Sequence, residues 1–213
     1  SSQCICAMLF LALLEWRRTH RTASVRPAVI AARNVHKAFV RAAALLDFDP
    51  IWLSPEDEVY SLTRCRVGRG QLERVLCETG ERAAAVFITS PDYLGTLADI
   101  RALSESAHKY GVMFLVDDAH GAYLRFLPES LHPLDLGADM CCDSAHKTLP
   151  VLTGGAYLHI AKGIPVSKET AKEKAALFGS TSPSYLILLS LDLCNAYLAE
   201  RGKADFTKLS ETS

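Results

Sequence analysis

The sequence lacks the marks of several protein classes. Its seven cysteines (Cys4, Cys6, Cys65, Cys77, Cys141, Cys142 and Cys194) are odd in number and irregularly spaced, with no paired CxxC motif. Nothing there resembles a thiolate metal site, so no metal site is expected. Net charge is nearly absent: 23 Lys and Arg against 24 Asp and Glu give −1. That balance indicates neither nucleic acid nor an acidic membrane surface as a partner. Long apolar runs are missing too. Cys4 to Leu14 falls short of the roughly 20 residues needed to span a bilayer. No basic residues precede it, and Glu15 and Trp16 follow where a cleavage site would need small residues. It reads as a buried helix. There is no internal repeat and no low-complexity linker, so residues 1–213 read as a single domain. No methionine opens the chain, and "RGKADFTKLSETS" turns polar without starting another element. Both ends read as cut, and the chain as a fragment.

What is present is a globular composition, with 49% hydrophobic and 22% charged residues. Short apolar runs alternate with longer amphipathic ones. Strands are expected at Ala28 to Ala32, in "PIWL", at Ala83 to Thr89, at Val112 to Asp118, in "ADMCCD" and in "GAYLHI". Helices are expected at Lys37 to Leu46, Gly70 to Glu78, Leu97 to Tyr110 and Ser184 to Glu200. The central strands are continuously apolar, which implies burial on both faces. The class is therefore α/β, a mostly parallel sheet covered by helices.

In such sheets ligands bind beyond the carboxyl ends of the strands. Polar residues gather at those ends: Arg33, Asn34 and His36 after the first strand, Thr89 and Ser90 after the third, Asp117 and His120 after the fourth. Ser144, His146 and Lys147 follow the fifth. Each has a plain reading alone. Asp117 could be a turn or capping residue, and Lys147 could close a strand at the surface. Together they suggest more. A lysine in a cleft forms a Schiff base with a carbonyl, and an aspartate holds a pyridinium nitrogen protonated. Pyridoxal 5'-phosphate needs both. Its phosphate needs hydroxyls and N–H groups at a helix start, as Ser1 and Ser2, Ser144, and the "GSTSPS" run offer. Its ring needs a flat neighbour, which His36 or His120 could be.

"RNVHKAF", "ITSPDYLG", "VDDAHGAY", "DSAHKTLPVLTGGAYLH" and "GSTSPSYLILLSLD" stand in the order found in the Orn/Lys/Arg decarboxylases, and the chain resembles that family over nearly its whole length. The resemblance implies a three-layer α/β/α fold, the large domain of a fold type I pyridoxal-phosphate enzyme. It implies decarboxylation of arginine, lysine or ornithine to an amine of the polyamine pathway, in a homodimer; the unpaired cysteines, mostly in apolar segments, suit the reducing cytoplasm. By it, Lys147 is the Schiff-base lysine, Asp117 pairs with the pyridine nitrogen, and His36 stacks on the ring. His120 lies near the ring's phenolic oxygen, and Ser144 joins Ser1 and Ser2 at the phosphate. His146 is a candidate proton donor. Thr181 and Ser182 reach the phosphate of a neighbouring subunit. Asp118 receives no role.

The sequence departs from the family at several points. The family's Asn-Gly before Ser1, the N-terminal segment ahead of it and the smaller C-terminal domain are absent, and Asp92 replaces a neutral residue in "SPDYLG", where a turn role is expected. "VDDAHGAY" also resembles the α-oxoamine synthases, but those place Ser before the lysine, where His146 stands here. Aminotransferases would show an arginine in a later region that this sequence lacks. An inactive fragment is the third alternative.

Overall fold

The computed structural model describes residues 2–20, 25–55 and 65–211. Ser1, a candidate phosphate contact, lies outside the described residues.

Six strands form one sheet: β1 (Ala28–Ala32), β2 (Asp49–Leu53), β3 (Ala83–Thr89), β4 (Met113–Asp117), β5 (Met140–Asp143) and β6 (Tyr157–Ile160). Their order is β2-β1-β3-β4-β5-β6. The first five are parallel, and β6 runs antiparallel beside β5. Parallel neighbours need crossovers, usually helical. Those here include α2 (Lys37–Leu46), α3 (Arg69–Thr79) and α4 (Ile100–Lys109). Strand order reverses between β1 and β3, which opens a crevice at their carboxyl ends.

The apolar strands are buried because both faces are covered. On one face, α1 (Ser2–Thr19) and α2 pack Met8, Leu9, Phe39 and Ala42 against Val29, Phe87, Leu115 and Cys142. On the other, α3 and α4 pack Leu72, Leu76, Leu103 and Ala107 against Ile30, Val86, Phe114, Val116 and Cys141. Phe39 is fully buried, within 4.9 Å of Phe87 and 5.5 Å of Phe48 between ring centroids. Burying one such ring contributes about 1.5–3 kcal/mol. The fold is thus three-layered, and α1 is a core helix. Among the described residues no helix is long and apolar enough to cross a membrane.

Helix limits follow local chemistry. Asp99 accepts from the Ala102 N–H at 3.1 Å, so α4 begins at Ile100 rather than Leu97. Gly80, at φ +57°, ends α3 as expected. The final helix is longer than expected. After α5 (Ala145–Thr148) and α6 (Lys168–Ala176), α7 (Tyr185–Tyr197) passes through a π turn at Leu198–Gly202 into α8 (Lys203–Glu211). The polar tail therefore does form an element. Phe206 of α8 packs beside Tyr123 and Phe126, which supports the continuation. The face of α7 carrying Leu186, Leu189 and Leu193 is exposed.

Candidate active site

The strand ends bring Asp117, His36, His120, Ser144 and Lys147 to one edge of the sheet. Asp117 closes β4, with Thr89 of β3 beside it in register. Its side chain is buried, and its Oδ1 has the Cys142 thiol at 3.6 Å. Burial pushes the Asp117 carboxyl up, while that thiol and the charges of His36 and Lys147 pull it down. The buried carboxylate thus has two cationic or ionisable neighbours and only a weak side-chain hydrogen-bond donor.

His36 is placed by helix geometry. It caps α2, its Nδ1 accepting from the Ala38 N–H at 3.2 Å. Its ring is half-buried and pKa-lowered, first by desolvation and then, against the pull of Asp117, by Lys147 and Lys37.

Lys147 stands one turn beyond β5, on α5. It is exposed, because the chain has left the core by then. Its Nζ lies 3.0 Å from His120 Nε2. An ammonium has only donors, so Nε2 accepts and His120 Nδ1 carries the hydrogen. That Nδ1 is buried without a partner among the described residues, as are Ser144 Oγ, Thr148 Oγ1 and Thr89 Oγ1. Desolvation, then the Lys147 charge, lowers the His120 pKa. Tyr93 meets the His120 ring edge-on at 5.3 Å.

His146 is anchored to backbone. Its Nδ1 donates to the Gly155 carbonyl at 2.8 Å, leaving Nε2 as its available nitrogen. Gly155 is tightly held: a Cβ there would meet Val151 Cγ1 at 2.3 Å.

The start of α1 approaches the same edge. Burial raises the pKa of the Cys4 thiol, and the negative charges of Asp143 and Asp117 add to it. Ser2 opens that helix and is exposed. Thr181 and Ser182 are also exposed and are not brought into hydrogen-bond contact with Lys147 or Asp117; the Ser182 N–H bonds Ser180 Oγ. Asp92 is a turn residue, its Oδ1 accepting from Leu94 and Thr96 N–H at 2.8 and 2.9 Å. Thr89 stands among the polar strand-end residues read from sequence, which gives it no role at the site.

An amine, a buried acid, two imidazoles and several unpaired hydroxyls suit a ligand with a carbonyl, a basic ring nitrogen and a phosphate. Comparison with known proteins bears on the family and the fold. The Orn/Lys/Arg decarboxylase major-domain profile matches residues 20–211. YaaO of Bacillus subtilis, an uncharacterized protein, is 35% identical over 171 residues, 80% of this chain and 35% of that one. The arginine decarboxylase of Bacillus subtilis is 33% identical over 176 residues, 82% of this chain and 36% of that one. The chain thus spans about a third of the length of these relatives. In three dimensions it resembles Oryza sativa TDC, solved with PLP, at a TM-score of 0.60 and 20% identity over 75% of this chain and 36% of that one. That likeness concerns the fold, which is that of the type I pyridoxal-phosphate enzymes. By the profile match across residues 20–211, the chain belongs to the Orn/Lys/Arg decarboxylase family.

Proposed function

We propose that this chain is the cofactor-binding part of a pyridoxal-phosphate-dependent decarboxylase acting on a basic amino acid: arginine, lysine or ornithine. The observation that carries the reading is the pairing of an accessible Lys147, 3.0 Å from His120, with the buried Asp117 at the next strand end. The orphaned Ser144, Thr148 and Thr89 hydroxyls and the His120 Nδ1 are the buried polar atoms that such a group would satisfy. When bound, pyridoxal phosphate supplies the electron sink for a carbon that loses carbon dioxide.

The residues then have distinct tasks. Lys147 offers its amine to the aldehyde carbon. Asp117 opposes the pyridine nitrogen and keeps it protonated; its burial strengthens that interaction, since a low local dielectric screens charge poorly. His36 would offer its ring as the flat neighbour of the bound group, and His120 would supply its unpartnered Nδ1 as a donor to the group's phenolic oxygen. Ser144 would bind phosphate with Ser2 at the start of α1 and with Ser1. His146 Nε2 or Lys147 Nζ returns a proton to the substrate carbon. The products are carbon dioxide and an amine of polyamine metabolism, and the proposed setting of the seven cysteines, all free, is the reducing cytoplasm.

The proposed partner is a second copy of the chain. The exposed leucines of α7 offer an apolar face for it, and the exposed Thr181 and Ser182 are free to serve that copy's phosphate. Sedimentation of a Leu186→Asp, Leu193→Asp variant tests this, with a shift to smaller mass expected.

For the enzyme itself, purified protein mixed with pyridoxal phosphate should show a visible absorption band that Lys147→Ala removes. Carbon dioxide should be released from arginine, lysine or ornithine. Borohydride trapping that places the pyridoxyl group on another lysine would falsify the role given to Lys147. A stable band with no release from any of the three would leave a cofactor-binding remnant.

A further inference from the structure

The opposite face of the same strand ends holds a second cluster. Strand alternation puts Asp118, Asp143 and His159 there, beside His132, which precedes a short 3-10 turn at Pro133–Leu136. His159 Nε2 lies 2.9 Å from Asp143 Oδ2, and His132 Nε2 lies 3.4 Å from the same oxygen. His132 Nε2 is also 3.8 Å from Asp118 Oδ2. One donor atom from each of His132, Asp143 and His159 falls within 4.8 Å of the others. Four donors about 2.0–2.1 Å from a tetrahedral zinc ion lie about 3.3 Å apart. The His159–Asp143 and His132–Asp143 spacings of 2.9 and 3.4 Å bracket that value, and the His132–Asp118 spacing of 3.8 Å is longer.

The independent observation is Asp118. It is fully buried, and neither carboxylate oxygen has a hydrogen-bond partner among the described residues. A buried carboxylate whose one basic neighbour among the described residues, His132, stands at 3.8 Å without a hydrogen bond is costly. Space has been made for it all the same: a Cβ on Gly121 would sit 1.9 Å from Asp118 Oδ1. A cavity of 480 Å³, lined by His132, Asp143, Tyr157 and His159 among others, gives access.

We propose that His132, His159, Asp143 and Asp118 bind one divalent cation of the zinc class. The site tethers the ends of β4, β5 and β6 to the loop before Pro133. It is separate from Lys147 and takes no part in the proposed decarboxylation. Imidazole and carboxylate are the donors, so the absence of paired cysteines in the sequence does not bear on it. A proton shared between Asp118 and Asp143 would relieve the same repulsion, but it would confer no affinity for metal.

The test is equilibrium dialysis of the purified protein against Zn²⁺ alone, with accessible thiols blocked by iodoacetamide. One ion per chain should bind, and the thermal midpoint should rise with Zn²⁺. His159→Gln and Asp118→Asn should each weaken binding tenfold or more. His159 is half-exposed, so its replacement is expected to fold. Should it not fold, Asp118→Asn decides, because asparagine keeps the volume and relieves the acid pair. Absence of saturable binding overturns the proposal, and so does wild-type affinity in either folded variant. Co²⁺ gives a second readout. Visible bands without a thiolate charge-transfer band support the site, and a thiolate band assigns the metal to cysteine instead.

Discussion

Two carboxylates stand one residue apart at the end of β4, and the sheet sends them to opposite faces. Asp117 lies with Cys142 on the α1 and α2 side, under the positive influence of His36 and Lys147. Asp118 lies on the side of Cys141, facing a second acid, Asp143, and two imidazoles. Burial raises both carboxyls, but the neighbours then act in opposite senses. Cations pull Asp117 back toward its charged form, whereas Asp143 pushes Asp118 further from it. Asp143 stays charged against its own burial because His132 and His159 hydrogen-bond to it. Burial alone therefore does not assign a role. The charges around each acid do.

The largest effect that separates the two faces concerns turnover. Asp117→Asn removes the charge proposed to oppose the ring nitrogen. Turnover should fall by about 10²–10³-fold, the size typical of losing one preorganised electrostatic group. Asp118→Asn, measured in the same decarboxylase assay, should leave turnover nearly unchanged. Equal losses in the two variants would erase the distinction between the faces.

Next in size is a stability effect confined to the Asp118 face. Gly121→Ala drives a methyl into Asp118 Oδ1 and toward Leu124 Cδ1, which would lie 2.7 Å away. Overpacking of this kind costs about 1–3 kcal/mol, readable as a lower urea midpoint at unchanged slope. In an Asp118→Ala background the cost should shrink, because contacting residues are not additive. Full additivity would mean that Gly121 does not accommodate that carboxylate.

The two faces were unequally legible in the sequence. Asp117 and Lys147 could be found because strand ends are readable from apolar runs, and because a lysine and an acid together suggest one cofactor. The Asp118 cluster could not. Its members fall at residues 118, 132, 143 and 159, and only the pairing of β5 with both β4 and β6 brings them together. Helices divided similarly. The strands and α2 show in their apolar residues, whereas α6 has no buried residue and so no apolar stripe to read. The continuation from α7 into α8 depends on a wide turn at Leu198–Gly202, where Gly202 packs close to Leu198 and Phe126, a tertiary fit without a local signal.

The finest probe is the titration of His36, which reports the charges on the Asp117 face. Its pKa lies below the ordinary 6.5, first through desolvation, with Lys147 and Lys37 lowering it further and Asp117 opposing them. Followed by NMR, Lys147→Met should raise it toward 6.5, and Asp117→Asn should lower it more. The linkage sign follows. A histidine depressed in the fold binds protons more readily when unfolded, so stability is lost as pH falls through the unfolded value. That acid-side loss should be smaller in Lys147→Met than in the parent and larger in Asp117→Asn. Asp118→Asn should leave the His36 titration in place, because no charge from the opposite face is among those that shift it. A His36 pKa that moved with Asp118 rather than with Lys147 would mean that His36 does not report the charges on the Asp117 face.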